Sequence, residues 1–252
     1  MKPRPPGHDR RLASHGLARV LSKMGLASRT QATAWVRQGR VSVNGRPVTD
    51  PEFPVRRDVD AITIDGRAAA ATLRVVVMLN KPRGLVTTTA DERGRDTVYR
   101  CLEGSGLPWL APVGRLDKAS EGLLLLCNDP AWAAGITAHA SGPDKTYHVQ
   151  IDRVPDAALL EAIRGGARVD GEQLSVRSVA ILRLGERHGW LEIVLDEGRN
   201  RHIRRLLAAH STSVLRLVRV AIGRLELGTL AKGAWRVLEE QEIQALAGGG
   251  GD

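Results

Sequence analysis

The stretch with the clearest capacity for chemistry is Gly114-Arg115-Leu116-Asp117-Lys118-Ala119-Ser120-Glu121-Gly122, followed by Leu123 to Cys127. Gly114-Arg115 reads as a tight polar turn. Gly122 opens an apolar run that belongs inside a core. A lone carboxylate at the edge of a buried strand, flanked by Arg115 and Lys118, suits a nucleophile that must stay ionised. Tyr147, one of two tyrosines, alternates with Val149 and Ile151 on one face of a predicted strand. That position fits a core aromatic. A third group lies on a predicted helix from Asn200 to His210. At about 100° per residue, Ile203, Leu206, Leu207 and His210 share one face, and Arg201, Arg204 and Arg205 share the other. The apolar face packs on a sheet, and the basic face can meet phosphate or a carboxylate.

The elements that position these groups are legible from the punctuation. Leu17 to Met24 reads as a short helix stopped at Gly25, and Ser28, with Gln31 in the capping-box position, starts a second helix running to Gln38. Val41-Ser42-Val43, the turn Asn44-Gly45 and Arg46-Pro47-Val48 make a hairpin. Ile62-Thr63-Ile64 before Asp65-Gly66 makes another strand and turn. Residues 67–72 read as an Ala-rich linker. Leu73 to Leu79 then reads as a buried strand, stopped at Asn80-Lys81-Pro82-Arg83-Gly84. Beyond it, strands at Thr146–Ile151, Trp190–Leu195 and Arg216–Ile222 interleave with helices at Pro130–Ala138, Pro155–Gly165 and Asn200–His210. This irregular order predicts an α+β fold with a mostly antiparallel, mixed sheet flanked by helices. The expected divisions are a disordered basic arm over 1–14, a small module over 15–66, a larger domain over 73–246 and a flexible tail over 247–252.

The net charge is +9, and its placement is informative. Residues 1–50 carry ten basic side chains against two acidic ones, and residues 196–236 carry nine against three. Clustered excess of this kind points to a polyanion, nucleic acid above all. No apolar run approaches the roughly 20 residues that span a bilayer. Cys101 and Cys127 lie in no metal-ligand spacing, and the seven histidines form no metal constellation. A reduced cytoplasm and no membrane association are the expectations.

Several motifs resemble known families. Leu17-Ala18-Arg19-Val20-Leu21, Gly25-Leu26-Ala27-Ser28-Arg29 and Gly39-Arg40-Val41-Ser42-Val43-Asn44-Gly45 resemble the small RNA-binding module named after a small-subunit ribosomal protein. Gly114-Arg115-Leu116-Asp117 with Gly122-Leu123-Leu124-Leu125-Leu126 resembles the catalytic motif of pseudouridine synthases, in the branch acting on ribosomal RNA. Met78 to Gly84, Lys145-Thr146-Tyr147, Glu197 to Arg205, Leu215 to Arg219 and Gly223 continue the resemblance in family order.

The resemblance implies that Asp117 is the essential carboxylate in a dry pocket. It implies that Tyr147 stacks on the target uracil and that Arg204 is the counter-charge of Asp117. It places Leu217 in the uracil pocket. It leaves Arg201 and Arg205 as contacts to RNA or structure, and Arg115 as a contact to substrate or RNA. Lys81 and Arg83, in a Pro-Gly turn after a buried strand, are expected to touch RNA backbone, and Arg29, Arg37 and Arg40 are the RNA-facing cations of the small module. The implied reaction breaks the N1–C1′ bond of a uridine, turns the base and rejoins it through C5. It needs no cofactor or metal, because atoms and redox state are conserved.

The chain departs from the family pattern at Ala140 to Asp144, and at Ser211-Thr212-Ser213 where a Gly-containing turn is usual. A monomer is expected. The competing reading is a non-catalytic RNA-binding or ribosome-assembly factor. A nucleoside glycosidase is disfavoured, since no second carboxylate pairs with Asp117 in the sequence.

Overall fold

The computed structural model of this chain describes residues 14–247, apart from 71, 90, 92 and 139–141. The basic arm expected before Ser14, the glycine tail after Ala247 and part of the departing segment 140–144 lie outside the described residues. The chain forms two compact units that divide between Leu73 and Arg74.

In the first unit, β1 (His15–Gly16) pairs with β4 (Pro54–Val55), and α1 (Leu17–Lys23) leads to α2 (Arg29–Arg37). Ser28 caps α2 as its pattern predicts, accepting a hydrogen bond from Gln31 N at 3.0 Å. β2 (Val41–Val43), β3 (Arg46–Pro47), β5 (Ile62–Ile64) and β6 (Arg67–Ala68) form a sheet in the order β3-β2-β5-β6. Its turns are Asn44-Gly45 and Asp65-Gly66, all four residues at positive φ, as a type I′ hairpin requires. The second turn carries the chain into β6, where the sequence suggested only a linker. Leu17, Val20 and Leu21 of α1 meet Ala32, Val36, Val41 and Ile62 in a small closed core.

The second unit is built on a nine-stranded sheet with the central order β13-β14-β10-β15-β9-β7-β17. In chain order these strands are β7 (Val76–Lys81), β8 (Ala111–Val113), β9 (Glu121–Cys127), β10 (Lys145–Ile151), β13 (Ser178–Leu184), β14 (Gly189–Leu195), β15 (Val214–Ile222), β16 (Leu225–Glu226) and β17 (Trp235–Val237). β8 pairs with β9, and β16 with β15. The β9–β15 pair is parallel and the other pairs are antiparallel, so the sheet is mixed as expected. A separate hairpin joins β11 (Ala167–Val169) to β12 (Glu172–Leu174).

β7 and β9 are buried on both faces, which explains their unbroken apolar runs. Leu124 and Leu126 point to one core with Val77, Leu79, Val149 and Ile193. Leu123, Leu125 and Cys127 point to the other with Val76 and Met78. α4 (Ala157–Gly165) and α5 (His202–Ala209) cover the first face through Leu159, Ile163, Ile203 and Leu206. α3 (Pro130–Thr137) and α6 (Glu240–Ala247) cover the second through Trp132, Ile136, Ile243 and Leu246. Leu73 departs from its predicted place in the strand: it is 89% exposed, and β7 begins three residues later. No described helix is long and apolar enough to cross a membrane.

Candidate active site

Asp117 lies in the loop between β8 and β9, and five consecutive carbonyls of that loop are held from outside it. Thr87 Oγ1 donates to Leu116 O at 2.7 Å, and Gly84 N donates to Lys118 O at 2.8 Å. Arg204 Nη2 donates to Ala119 O at 3.3 Å. Lys81 Nζ donates to Asp117 O at 3.2 Å and Ser120 O at 2.9 Å, and also to Pro82 O at 3.0 Å. Backbone carbonyls satisfied in this way cannot drift without losing a partner. The carboxylate itself accepts no hydrogen bond among the described residues and is one-third exposed.

Lys81 therefore differs from its expected role at the RNA surface. It is fully buried and acts as a pin beneath the Asp117 loop. Burial pulls its pKa down to about 8, against the upward pull of Glu121 and Asp117. Arg83, two residues on, is exposed as a contact residue should be.

The arginines of the 199–205 segment divide differently from the helical wheel. Arg201 stands just before α5 with φ +50°, so it leaves the helical register. Its Nη1 lies 3.8 Å from Asp117 Oδ2. The ion pair expected of Arg204 is thus made by Arg201. Arg204 instead clamps two backbone segments, through Ala119 O and Val214 O, the latter at 3.2 Å. Burial and the charge of Arg201 pull its pKa down, Asp117 pulls it up, and Arg83 adds to the downward pull. Arg205 turns away to the β11–β12 hairpin, pairing with Glu172 at 2.6 Å and donating to Val169 O at 2.9 Å. Of the two contacts expected of it, to RNA or to structure, these are the structural one.

These parts surround a cavity of about 360 Å³, within the range of small-molecule sites. Arg115, Asp117, Tyr147, Arg201, Arg204 and Leu217 all line it. Tyr147 and Leu217 belong to the core as well as to the cavity wall. Lys145, Arg219 and His202 line the cavity too. The residue pattern alone gives them no role: Arg219 and His202 sit inside apolar and basic runs, and Lys145 is the polar start of a strand. His202 Nε2 lies 2.8 Å from Ser175 O, which fixes the ring, and burial pushes its pKa down. Ser211 takes φ +51°, the conformation a glycine supplies more cheaply at this turn.

The family model described as RNA pseudouridylate synthase matches residues 75–209, more than half of the chain. The chain belongs to the RNA pseudouridylate synthase family. A second family model, the S4 domain, matches residues 16–60 in the first unit. An uncharacterised RNA pseudouridine synthase of Mycobacterium tuberculosis is 36% identical over 233 residues, 91% of this chain and 92% of its own length. Ribosomal large subunit pseudouridine synthase B of Bacillus subtilis is 31% identical over 233 residues, with 91% of this chain and 94% of its own length covered. A crystal structure of a pseudouridylate synthase superposes with TM-score 0.65 at 28% identity, spanning 92% of this chain and all of that one. This protein is accordingly an enzyme that isomerises uridine to pseudouridine in RNA, and its α+β fold is that of the family.

For an RNA pseudouridylate synthase, the split among its arginines has a measurable consequence. Arg204→Met removes a charge-assisted bond to the loop that carries Asp117, a bond of a class worth about 1.5–3 kcal/mol. Single-turnover isomerisation is expected to slow by about 10- to 100-fold. Arg205→Met, which loses only the hairpin contacts, is expected to lower the melting temperature and leave the rate unchanged. Equal rate losses in the two variants would refute the division.

Proposed function

We propose that this synthase acts on a uridine of ribosomal RNA, with Asp117 as the catalytic carboxylate. The observation that carries this reading is a half-buried Asp117 in a cavity beside Tyr147, with its oxygen facing Arg201 and its loop tied at five carbonyls. The target base stacks on Tyr147 against Leu217, after leaving its own stack. Asp117 meets the electron deficiency at C1′ as the N1–C1′ pair departs with the base. The base turns, C5 bonds to C1′, the C5 proton is lost, and N1 gains a proton.

The ribosomal substrate is supported by the name of the Bacillus relative. The test is to map pseudouridines in ribosomal RNA from cells with and without this gene, by carbodiimide treatment and reverse-transcription stops. A stop that disappears with the gene, and returns on complementation, is expected. An unchanged ribosomal map with a lost transfer-RNA site would overturn the substrate.

In this reading residues 73–246 are the catalytic domain, and the module over 15–66 recruits folded RNA by phosphate contacts. Arg29 and Arg37 are exposed on α2 for that purpose. Arg40 is already engaged, pairing with Asp65 at 2.6 Å and standing over Trp35 at 5.3 Å, so it orients the surface more than it grips RNA. The enzyme works as a cytoplasmic monomer without a cofactor. Deleting residues 1–73 is expected to leave a folded catalytic unit that binds RNA more weakly. The slope of log affinity against log salt should fall by about one for each phosphate that the truncated chain no longer neutralises. An unfolded product would count against the division, and unchanged binding against the recruiting role.

A further inference from the structure

The cavity is lined by two cations that make no ion pair among the described residues. Arg219 of β15 is the cross-strand partner of Tyr147 on β10, which directs both side chains to the same face of the sheet. Arg219 is buried. Its Nε donates to Leu123 O at 2.7 Å, while its buried Nη2 has no hydrogen-bond partner among the described residues. Its backbone is fixed as well. Gly122 stands against it at φ +100°, where an added Cβ would come within 2.2 Å of Arg219 O. Lys145, two residues before Tyr147, also lines the cavity and is half-buried. Its ammonium makes no ion pair or hydrogen bond among the described residues. Burial and the nearby Arg219 pull its pKa down, while Asp144 and Asp196 pull it up from beyond ion-pair reach.

Holding two like charges in a partly desolvated pocket is unfavourable unless acceptors arrive with a ligand. Asp117 does not neutralise them: its ion pair is with Arg201, and it makes none with Lys145 or Arg219 among the described residues. The missing partner has a chemical description. Uracil offers two carbonyl oxygens as acceptors. When the N1–C1′ bond breaks with its electron pair on the base, the resulting negative charge spreads onto those oxygens. Donors set in place before that moment favour the transition state over the bound substrate.

We propose that Lys145 is a further catalytic residue, whose ammonium donates to a carbonyl oxygen of the target uracil and stabilises the base anion. Arg219 is a positioning residue that reinforces the positive field behind it. This rests on the reading that the Asp117 cavity takes the target uridine. The same donors select against a base edge bearing an amino group, because neither an ammonium nor a guanidinium can accept a hydrogen bond.

The test is single-turnover isomerisation by the full chain on a transcript containing the mapped uridine. Lys145→Met is expected to slow the reaction by on the order of 10²-fold, with RNA affinity unchanged, and Lys145→Arg to keep most of the rate. Transcripts bearing 2-thiouridine or 4-thiouridine at the target identify the oxygen, because sulfur is a poorer acceptor. One of the two should slow the wild type, and the same substitution should add no further loss in Lys145→Met. Lys145→Gln, a neutral donor of similar length, serves as the second variant if Lys145→Met melts early, and should show a smaller loss with the same thio pattern. A wild-type rate in Lys145→Met, or thio penalties fully retained in it, would overturn the assignment. Failure of the wild type to convert any uridine would instead remove the functional reading beneath it.

Discussion

Asp117→Asn is expected to abolish pseudouridine formation, lowering the single-turnover rate by on the order of 10⁴-fold or more. RNA affinity and melting temperature should stay close to wild type. The two halves of this expectation come from different atoms. The backbone of residue 117 is held by Lys81 Nζ and by Ser120 N, the latter at 2.9 Å, and neither bond involves the carboxylate. Among the described residues the carboxylate has one ion pair, to Arg201 at 3.8 Å, and both side chains are partly exposed. An exposed pair at that distance contributes little to stability. Asparagine keeps the shape and fills the same space, but it can neither attack C1′ nor take a proton. The scaffold thus survives while the chemistry is lost. The measurement combines carbodiimide mapping with filter binding and thermal melting on the same preparations. Retention of more than about one-hundredth of the wild-type rate would sink the role, because only on the order of 10²-fold would then separate Asp117 from a merely positioning group.

The sequence carries the local signals faithfully where a single residue decides the backbone. Asn44-Gly45, Asp65-Gly66 and the Ser28 cap all form as their chemistry requires. Asp170-Gly171 is an equally good hairpin turn, at φ +51° and +80°. It escapes a pattern reading because its flanks, Arg168, Glu172 and Gln173, are polar and give no alternating apolar stripe. β13 escapes for a related reason. It is an edge strand with one fully buried residue, Val179, so periodicity has almost nothing to report. Leu73 shows the opposite error, an apolar residue that joins no core.

At the site, the residue types point to the right neighbourhood but not to the right partners. Arg201, Arg204 and Arg205 share one wheel face only if the helix begins before Arg201. A left-handed residue at 201 separates that side chain from the other two. Three jobs follow from one basic stripe: pairing Asp117, clamping its loop and anchoring a hairpin. Lys81 is the hardest to foresee. Lysine is among the residues rarely buried, so a lysine in a Pro-Gly turn reads as surface. Its burial comes from carbonyls supplied 36 and 39 residues later in the chain, which no local pattern reveals.

That burial gives Lys81→Met the largest expected effect on stability. Methionine matches the stem and removes the ammonium, leaving the carbonyls of Pro82 and Ser120 without this donor, while Asp117 O keeps only its bond from Ser120 N. Orphaning buried acceptors costs about 1–3 kcal/mol each, partly recovered by relaxation. A net loss of about 3 kcal/mol is expected, which lowers the melting temperature by roughly 6–12 °C for a unit of this size. The loop keeps Thr87, Gly84 and Arg204, so the fold persists, but Asp117 loses its nearest restraint. A displacement of about 1 Å at a catalytic group costs on the order of 10²-fold, and the isomerisation rate should fall accordingly.

A pH series separates this cause from generic core damage. The Lys81 pKa stands at about 8 in the folded protein, below the 10.5 of an unperturbed lysine. Below about pH 8 the side chain is protonated in both states, and its burial penalty is fully present. Between about 8 and 10.5 the unfolded chain holds a proton that the folded one has released, so wild-type stability rises with pH across that window. The variant has no such group. The stability difference between wild type and Lys81→Met should therefore widen by up to about 3 kcal/mol from pH 8 to 10.5, since a tenfold change in proton affinity corresponds to about 1.4 kcal/mol. Urea melts of the two proteins at matched pH read this directly. A difference that stays flat would mean that burial does not depress the pKa of the Lys81 ammonium beneath the loop.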